Sequence, residues 1–399
     1  MKDKFFLSPK RLKQIKKIQN RCKVISVDQI ENVQNGYIKS FDKKIPSLGV
    51  FDNNLNAIKS AEIRWDNFLL FKQKWGNVDG SKVAYVDKDV IYLGQTPGHF
   101  GHFLINTLDR AWPLTIDEFK DKAVVIIKTY YNNESYYSLL EYLGVRKENI
   151  IILDKTTQFK SVLVPQRSFK HKEIISQQFV DTFKKIASNI TKSYPYNKIY
   201  VSRTNFVNKN NSGNMLFGEK QIENIFKQNG YHVIYPETLT IAEQIGYMKN
   251  CRHLAGVAGT ALHLALFMQD GGEVVQINRS KCSFAYAQIQ INDIKQHHSV
   301  YIDASIEKYK TNHSALVPQI IGCNKYVQDF LKSSKFVFSQ SDIAEQPNVY
   351  SDYLQACKNT LRLKFVRSRF LHQLIAVMVC IICVFIPSRQ LRHAIRAKI

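Results

Sequence analysis

At 399 residues, with 45% apolar side chains, 24 Phe and 20 Tyr, the chain has the size for two domains with real cores and is no disordered polymer. A formal net charge of +23 asks for an anionic partner, whether nucleic acid, an acidic membrane surface or a phosphorylated substrate. That charge sits at the two ends: nine basic residues against Asp3 alone from Lys2 to Lys23, and nine with no acid at all after Asp352.

The N-terminal stretch "MKDKFFLSPKRLKQIKK" lacks the apolar run of a secretory signal. Lys82 to Gln95 alternates like a β-hairpin turning at Asp87-Lys88-Asp89. A helix from about Gly101 to Thr115 is expected next, then strand Ala123–Lys128, helix Ser135–Leu143 stopped by Gly144, strands Ile150–Leu153 and Ser161–Pro165, and a long helix near Lys172–Lys192. "SYPYNK" (Ser193–Lys198) reads as a linker. A second alternating series follows: strand Lys198–Arg203, helix Glu219–Gln228, strand Tyr231–Pro236, and a helix opened by Thr240 with Glu243 at capping-box spacing. Strand His253–Val257, helix Ala261–Met268 and strand Glu273–Asn278 complete it. Strands alternating with helices predict parallel α/β layers, and two such units put a ligand cleft between strand carboxyl ends.

At the far end, Leu374 to Ile386 is an unbroken apolar run, about 20 Å as a helix against the ~30 Å of a bilayer core. Arginines flank it on both sides, and beyond Pro387 the residues Arg389, Arg392 and Arg396 share one helical face. This pattern predicts an interfacial helix on anionic lipid; the alternative is a buried C-terminal helix with a solvated basic end. The seven cysteines are scattered, with no CxxC pair and no zinc spacing, which fits reduced thiols in a cytosolic protein.

Three stretches carry chemistry. In "GHFGHFLINTLDRAW", His102, Asn106 and Asp109 stand at i, i+4 and i+7, one helical face, where Asp109 would hold the His102 tautomer as a general base requires. The competing expectation is a core histidine satisfied by a backbone carbonyl. "YVSR" puts the fork of Arg203 at a strand end, and "GVAGTALH" passes from strand to helix through Gly259 and Thr260, an arrangement suited to an anion. Arg203 as a surface ion-pair residue and Gly259 as an ordinary turn glycine are the bland alternatives. There is no Walker lysine, no GxGxxG, and no third and fourth ligand at metal-site spacing, so no metal is expected.

Taken in order, "GHFLINTLDRAW", "KIYVSR", "PETLTIAEQIGYMKNCRHLAGVAGTALHLALF" and "EVVQIN" resemble the family 61 glycosyltransferases, capsular-polysaccharide and glycan-modifying enzymes, over about residues 80 to 280. The family pattern "GHW-L" is met by Gly101, His102, Phe103 and Leu104, with Phe for Trp. "IY-SR" is met by Tyr200, Ser202 and Arg203, and the "EQI" element by Glu243, Gln244 and Ile245. The glycine-rich element is met at Gly256, Gly259, Leu262 and Phe267, but Ala258 stands where the family often has His, with His263 one turn on as a substitute.

The resemblance implies an α/β fold with two Rossmann-like domains of GT-B type around an interdomain cleft, plus the C-terminal apolar and amphipathic membrane-associating helix. The domain plan expected is 1–80, a basic arm and the start of the first domain; 81–195, an acceptor-side domain; 196–325, a nucleotide-sugar-binding domain; 326–364, returning helices; and 365–399, the membrane tail. It further implies inverting, metal-independent transfer from a nucleotide-sugar, without a cofactor, to a glycan or lipid-linked acceptor in bacterial surface polysaccharide synthesis. In that scheme His102 is the base oriented by Asp109, and His99 and Asn106 lie on the acceptor side. Arg203, Gly259, Thr260 and His263 hold the donor, and Glu243 binds a ribose hydroxyl or caps its helix. The expected location is cytoplasmic, on the inner face of the cell membrane through Phe365–Ile399, with no nucleic-acid partner. The competing readings are a non-catalytic membrane-bound anion or nucleic-acid binder, and a phosphotransferase of polymer assembly.

Overall fold

A computed structural model describes residues 3–44, 46–65, 68–76, 78–79, 82–205, 215–280, 286–307 and 318–360. The tail expected at 365–399 lies outside the described residues, as do Cys282, Cys380 and Cys383; the other four cysteines are free thiols. No helix among the described residues is long and apolar enough to cross a membrane.

The chain opens with strand β1 (Lys4–Phe6), helix α1 (Pro9–Arg21) and strand β2 (Lys23–Ile25). Strands β3 (Ile30–Gln34), β4 (Tyr37–Asp42) and β5 (Ser47–Phe51) follow, then the short hairpin β6 (Arg64–Trp65) and β7 (Phe68–Leu69). Strands β8 (Ala84–Gln95), β9 (Ala123–Ile127), β10 (Ile150–Leu153) and β11 (Thr157–Pro165) run parallel in the order β10-β9-β8-β11. Strands β3 and β4 add antiparallel on the β11 side. Between these strands, helix α2 (Phe100–His102) follows β8 and helix α3 (Ser138–Leu143) follows β9, the latter ending on Gly144 at φ 108° as expected.

Asp87 and Lys88 form no hairpin turn. Strand β8 is continuous, and its ladder with β11 steps from Val86–Phe159 to Asp89–Ser161, an irregularity that absorbs the polar residues. With β9 and β11 both pairing parallel to it, β8 is a central strand that cannot fold back on itself.

The small strands β12 (Phe169–Lys170) and β13 (Ile174–Ser176) precede helix α4 (Gln177–Ser188), so the helix expected from Lys172 starts later. Ser176 sets that start: its hydroxyl accepts from Phe179 N at 3.1 Å. The linker expected at Ser193–Lys198 is strapped down, with Tyr194 stacked on Tyr247 and Tyr196 on His232.

Next come β14 (Lys198–Val201), β15 (Leu216–Phe217), α5 (Glu219–Gln228), β16 (His232–Ile234), α6 (Ile241–Met248), β17 (His253–Val257) and β18 (Glu273–Asn278). Helix α7 (Tyr286–Ile294), strands β19 (His298–Asp303) and β20 (Gln319–Ile320), and helices α8 (Lys325–Ser333) and α9 (Gln340–Ile343) complete the order. Residues 347–360 are helical.

The second sheet is wholly parallel, ordered β16-β14-β17-β18-β19-β1. Of the span 1–80, expected as a basic arm and the start of the first domain, β3, β4 and β5 join the first sheet and the arm joins the second. Strand β1 pairs with β19, and Ile15 and Ile18 of α1 pack on Ile289 and Tyr301, so the N-terminus belongs to the second sheet.

The fold is thus mixed α/β with parallel sheets, and the two sheets share a core. One apolar cluster runs from Ile91 and Leu104 on the first side through Phe179 and Phe183 to Leu262, Phe267 and Ile291 on the second. An aromatic chain marks the crossing: Phe169–Phe179 at 5.2 Å, Phe179–Phe183 at 4.9 Å and Phe183–Phe267 at 5.3 Å between ring centroids. Burial of this seam implies cooperative unfolding. Phe183→Ala should cost about 3–5 kcal/mol, and calorimetry should show both halves melting together in one transition at a lower temperature.

Candidate functional site

In parallel sheets ligands collect at strand carboxyl ends where the strand order reverses. The second sheet, read from β14, has the order 2-1-3-4-5, so its reversal lies between β14 and β17. A cleft of about 670 Å³ opens at that place, within the size range of small-ligand sites. Its walls on this side come from residues just after four strands: Ser202 and Arg203 after β14, Pro236 and Glu237 after β16, Gly259 and Thr260 after β17, and Arg279 after β18. The opposite wall is His99 and Phe100 after β8, and Asn133, Ser135 and Tyr136 after β9.

Arg203 is aimed by a buried acid pair one turn apart on α5. Glu219 accepts from Arg203 N at 3.0 Å and from the Tyr200 hydroxyl at 3.3 Å. Glu223 accepts from the hydroxyls of Ser202 at 2.6 Å and Thr204 at 2.7 Å. The Tyr and Ser of "YVSR" are therefore anchors, and the Arg is the group presented. Burial pushes the Glu219 carboxyl up to about 7 despite its hydrogen bonds.

Arg279 was not singled out in the sequence, although "EVVQINR" ends a strand in arginine just as "YVSR" does. Burial first, and the positive charge of Arg203 second, lower its guanidinium to about 10. Its buried Nη1 has no hydrogen-bond partner among the described residues. Burial likewise lowers Arg203, with Glu219 and Glu237 opposing. Two guanidiniums thus meet at one cleft, with Glu237 on the same wall and Glu219 acting on both.

Across the cleft the expected long helix is broken into pieces: the α-helical turn α2, a π-turn over Phe103–Thr107, and 3-10 turns over Leu108–Arg110 and Trp112–Thr115. His102 and Asn106 keep their i, i+4 relation, with Nδ1 to Oδ1 at 3.2 Å. An amide oxygen only accepts, so Nδ1 carries the proton and Nε2 keeps its lone pair.

Asp109 does not join them. It is fully buried, its Oδ2 pairs with Arg167 Nε at 2.5 Å, and its Oδ1 bonds nothing among the described residues. The π-turn spoils the regular spacing that would have stacked it beneath His102. The side chain bonded to the His102 ring is Asn106, not Asp109 as expected. Arg110 is structural too, donating to the carbonyls of Pro165 and Ser60.

His99, expected with the acceptor, lines the same cleft as Arg203 and Arg279, its ring 4.1 Å from that of His102. Burial, then the neighbouring rings of His102 and His263, push His99 down to about 4. Burial also lowers His102, partly offset by the bond to Asn106.

His263 is not among the cleft-lining residues. It is 5% exposed, with Nδ1 to Gln288 Oε1 at 2.9 Å, and burial lowers it to about 4. Ala258 is buried as well. Glu243 caps α6: Thr240 N donates to it at 2.9 Å, and Lys192 pairs with it at 3.0 Å. These bonds hold its carboxyl at about 2, and Glu243 is not among the cleft-lining residues. Among the described residues no group of three or more His, Cys, Asp or Glu could hold a metal ion.

The two walls are set by one contact. Thr260–Phe267 winds as a 3-10 helix, so Thr260 and His263 fall in line at i and i+3, and both face Gly101. A Cβ on Gly101 would stand 2.3 Å from Thr260 Cγ2 and 3.3 Å from His263 Cδ2.

Residues 100–275 match the family model described as Glycosyltransferase 61. The match takes in His102, Asn106, Arg203, Gly259 and Thr260, and leaves His99 and Arg279 just outside. Comparison with curated proteins gives no match.

Gly101→Ala should force the walls apart. We expect turnover to fall at least about tenfold with a stability loss of about 1–3 kcal/mol, read by a transfer assay beside thermal melting.

Proposed function

We propose that this protein, a glycosyltransferase by its Glycosyltransferase 61 domain, moves a sugar from a nucleotide-sugar to a hydroxyl of a glycan or lipid-linked acceptor, with inversion and without a metal. The observation that carries the reading is the facing of two guanidiniums, Arg203 and Arg279, and the imidazole of His99 across one cleft, with the His102 ring 4.1 Å from that of His99. The donor diphosphate lies against Arg203, Arg279 and the Gly259–Thr260 turn, where positive charge meets the charge that develops on the leaving group. His102 Nε2 takes the proton of the acceptor hydroxyl. The freed oxygen attacks the anomeric carbon on the face opposite the diphosphate, the carbon–oxygen bond to phosphate breaks, and configuration inverts. The imidazolium that forms keeps its Nδ1–H on Asn106. The paired arginines supply the charge that a divalent cation would otherwise bring to the leaving group, which supports metal independence.

Two sheets with strand ends turned to one cleft support a GT-B arrangement, its halves tied by the shared core. The non-catalytic readings give way to a transferase. We further place the protein in the cytoplasm, on the inner face of the cell membrane through Phe365–Ile399, in synthesis of a capsular or related surface polysaccharide. The basic, apolar composition of that segment supports this.

The test is turnover with a panel of UDP-, GDP- and CMP-sugars. His102→Ala should lower transfer by about 10²–10⁴-fold while donor affinity stays within about twofold; transfer near the wild-type rate would refute the assignment. The pH profile follows from the direction of the shift. Since burial holds His102 below its ordinary 6.5, the rate should fall on the acid side, as Nε2 protonates, with its midpoint below 6.5. A midpoint above 6.5 contradicts His102 as the base.

A further inference from the structure

The N-terminal helix carries a surface that the reaction does not use. Helix α1 is amphipathic: Arg11, Ile15 and Ile18 are buried, while Lys10, Lys13, Lys16, Lys17 and Arg21 are exposed. Arg21 reaches Glu173 at 4.0 Å, but Lys10, Lys13, Lys16 and Lys17 have no ion pair among the described residues. The helix contains no acid, and its first turn holds Lys10 and Arg11 where the helix dipole favours negative charge. Such an arrangement is unfavourable for the isolated protein and favourable against an anionic surface.

The apolar groups on this face decide which surface. Pro9 and Leu12 floor a shallow depression of about 650 Å³ between the lysines, and Val24, just beyond, is 66% exposed. A nucleic-acid backbone has no use for these groups, and the helix offers no aromatic ring for a base to stack on. At a lipid headgroup boundary they enter the apolar layer while the lysine stems reach up to the phosphates.

We propose that α1 docks flat on an anionic membrane surface, with Lys10, Lys13, Lys16 and Lys17 on the headgroup phosphates and Leu12 and Val24 at the acyl boundary. This contact is separate from the C-terminal tail and does not rest on the reaction assigned to the cleft. It also reaches the donor site through the protein. On the inner face of the same helix, Arg11 donates to Ser280 O at 2.6 Å and pairs with Asp303 at 3.6 Å, fixing the residue next to Arg279. Membrane contact on one side of α1 and the phosphate-facing arginine on the other are thus one helix apart.

The test is sedimentation of the full chain with phosphatidylcholine vesicles containing about one-third phosphatidylglycerol, and with pure phosphatidylcholine. The triple variant Lys10→Glu, Lys13→Glu, Lys17→Glu is compared with a control of equal charge change, Lys227→Glu, Lys325→Glu, Lys332→Glu, at exposed positions on α5 and α8. The first triple should weaken binding to the anionic vesicles at least about tenfold, the control less than threefold by the same scale, with both proteins melting as wild type. Equal losses in the two triples, or wild-type binding in the first, overturn the proposal. So does a first triple that loses duplex-DNA binding while keeping vesicle binding, which would assign the face to nucleic acid.

Discussion

No side chain fits between Gly101 and Thr260, and the arrangement of the cleft follows from that absence. The first sheet delivers the histidine segment and the second delivers the strand ends bearing arginine. Backbone at Gly101 meets the 3-10 helix directly, and this contact brings the two to one cleft. The shared apolar core holds that contact shut, because Phe183 and Phe267 cross the same seam a short way off. A hinge between independent domains would have to tear this core.

The charges on the two walls complement each other chemically. On the arginine-bearing wall, burial lowers both Arg203 and Arg279, and the charge of Arg203 lowers Arg279 further while nearby acids oppose the shift, a state that a bound anion would relieve. On the other wall, burial keeps His99 and His102 neutral. Neutral imidazoles beside two buried guanidiniums are what the proposed proton removal and diphosphate departure call for. Beneath the donor wall, Glu219 and Glu223 spend their bonds on Tyr200, Ser202 and Thr204, so the acids stiffen the strand end without filling the cleft.

Much of this was legible in the sequence. The strands "HLAGV" and "EVVQIN", the helix Glu219–Gln228 and the Thr240–Glu243 capping box stand where propensity and capping put them, because each obeys a local rule. The failures are where local rules yield to tertiary ones. Helical spacing placed Asp109 under His102, but a π-turn intervened and Arg167 claimed the carboxylate. The edge pairing of β1 with β19 joins residues nearly three hundred apart, which no periodicity reveals. Arg279 was readable by the strand-end logic that found Arg203, whereas the inward turn of His263 depended on a 3-10 winding that its sequence does not announce.

The central claim is that the cleft binds a diphosphate through two guanidiniums. Titration calorimetry of a nucleoside diphosphate and of the matching nucleoside against the wild type, Arg203→Ala and Arg279→Ala tests it directly. The account predicts that the wild type prefers the diphosphate by at least about 3 kcal/mol. Each single variant should lose most of that preference while binding the nucleoside unchanged. Equal affinity for the two ligands in the wild type, or a preference that survives loss of Arg279, would contradict it.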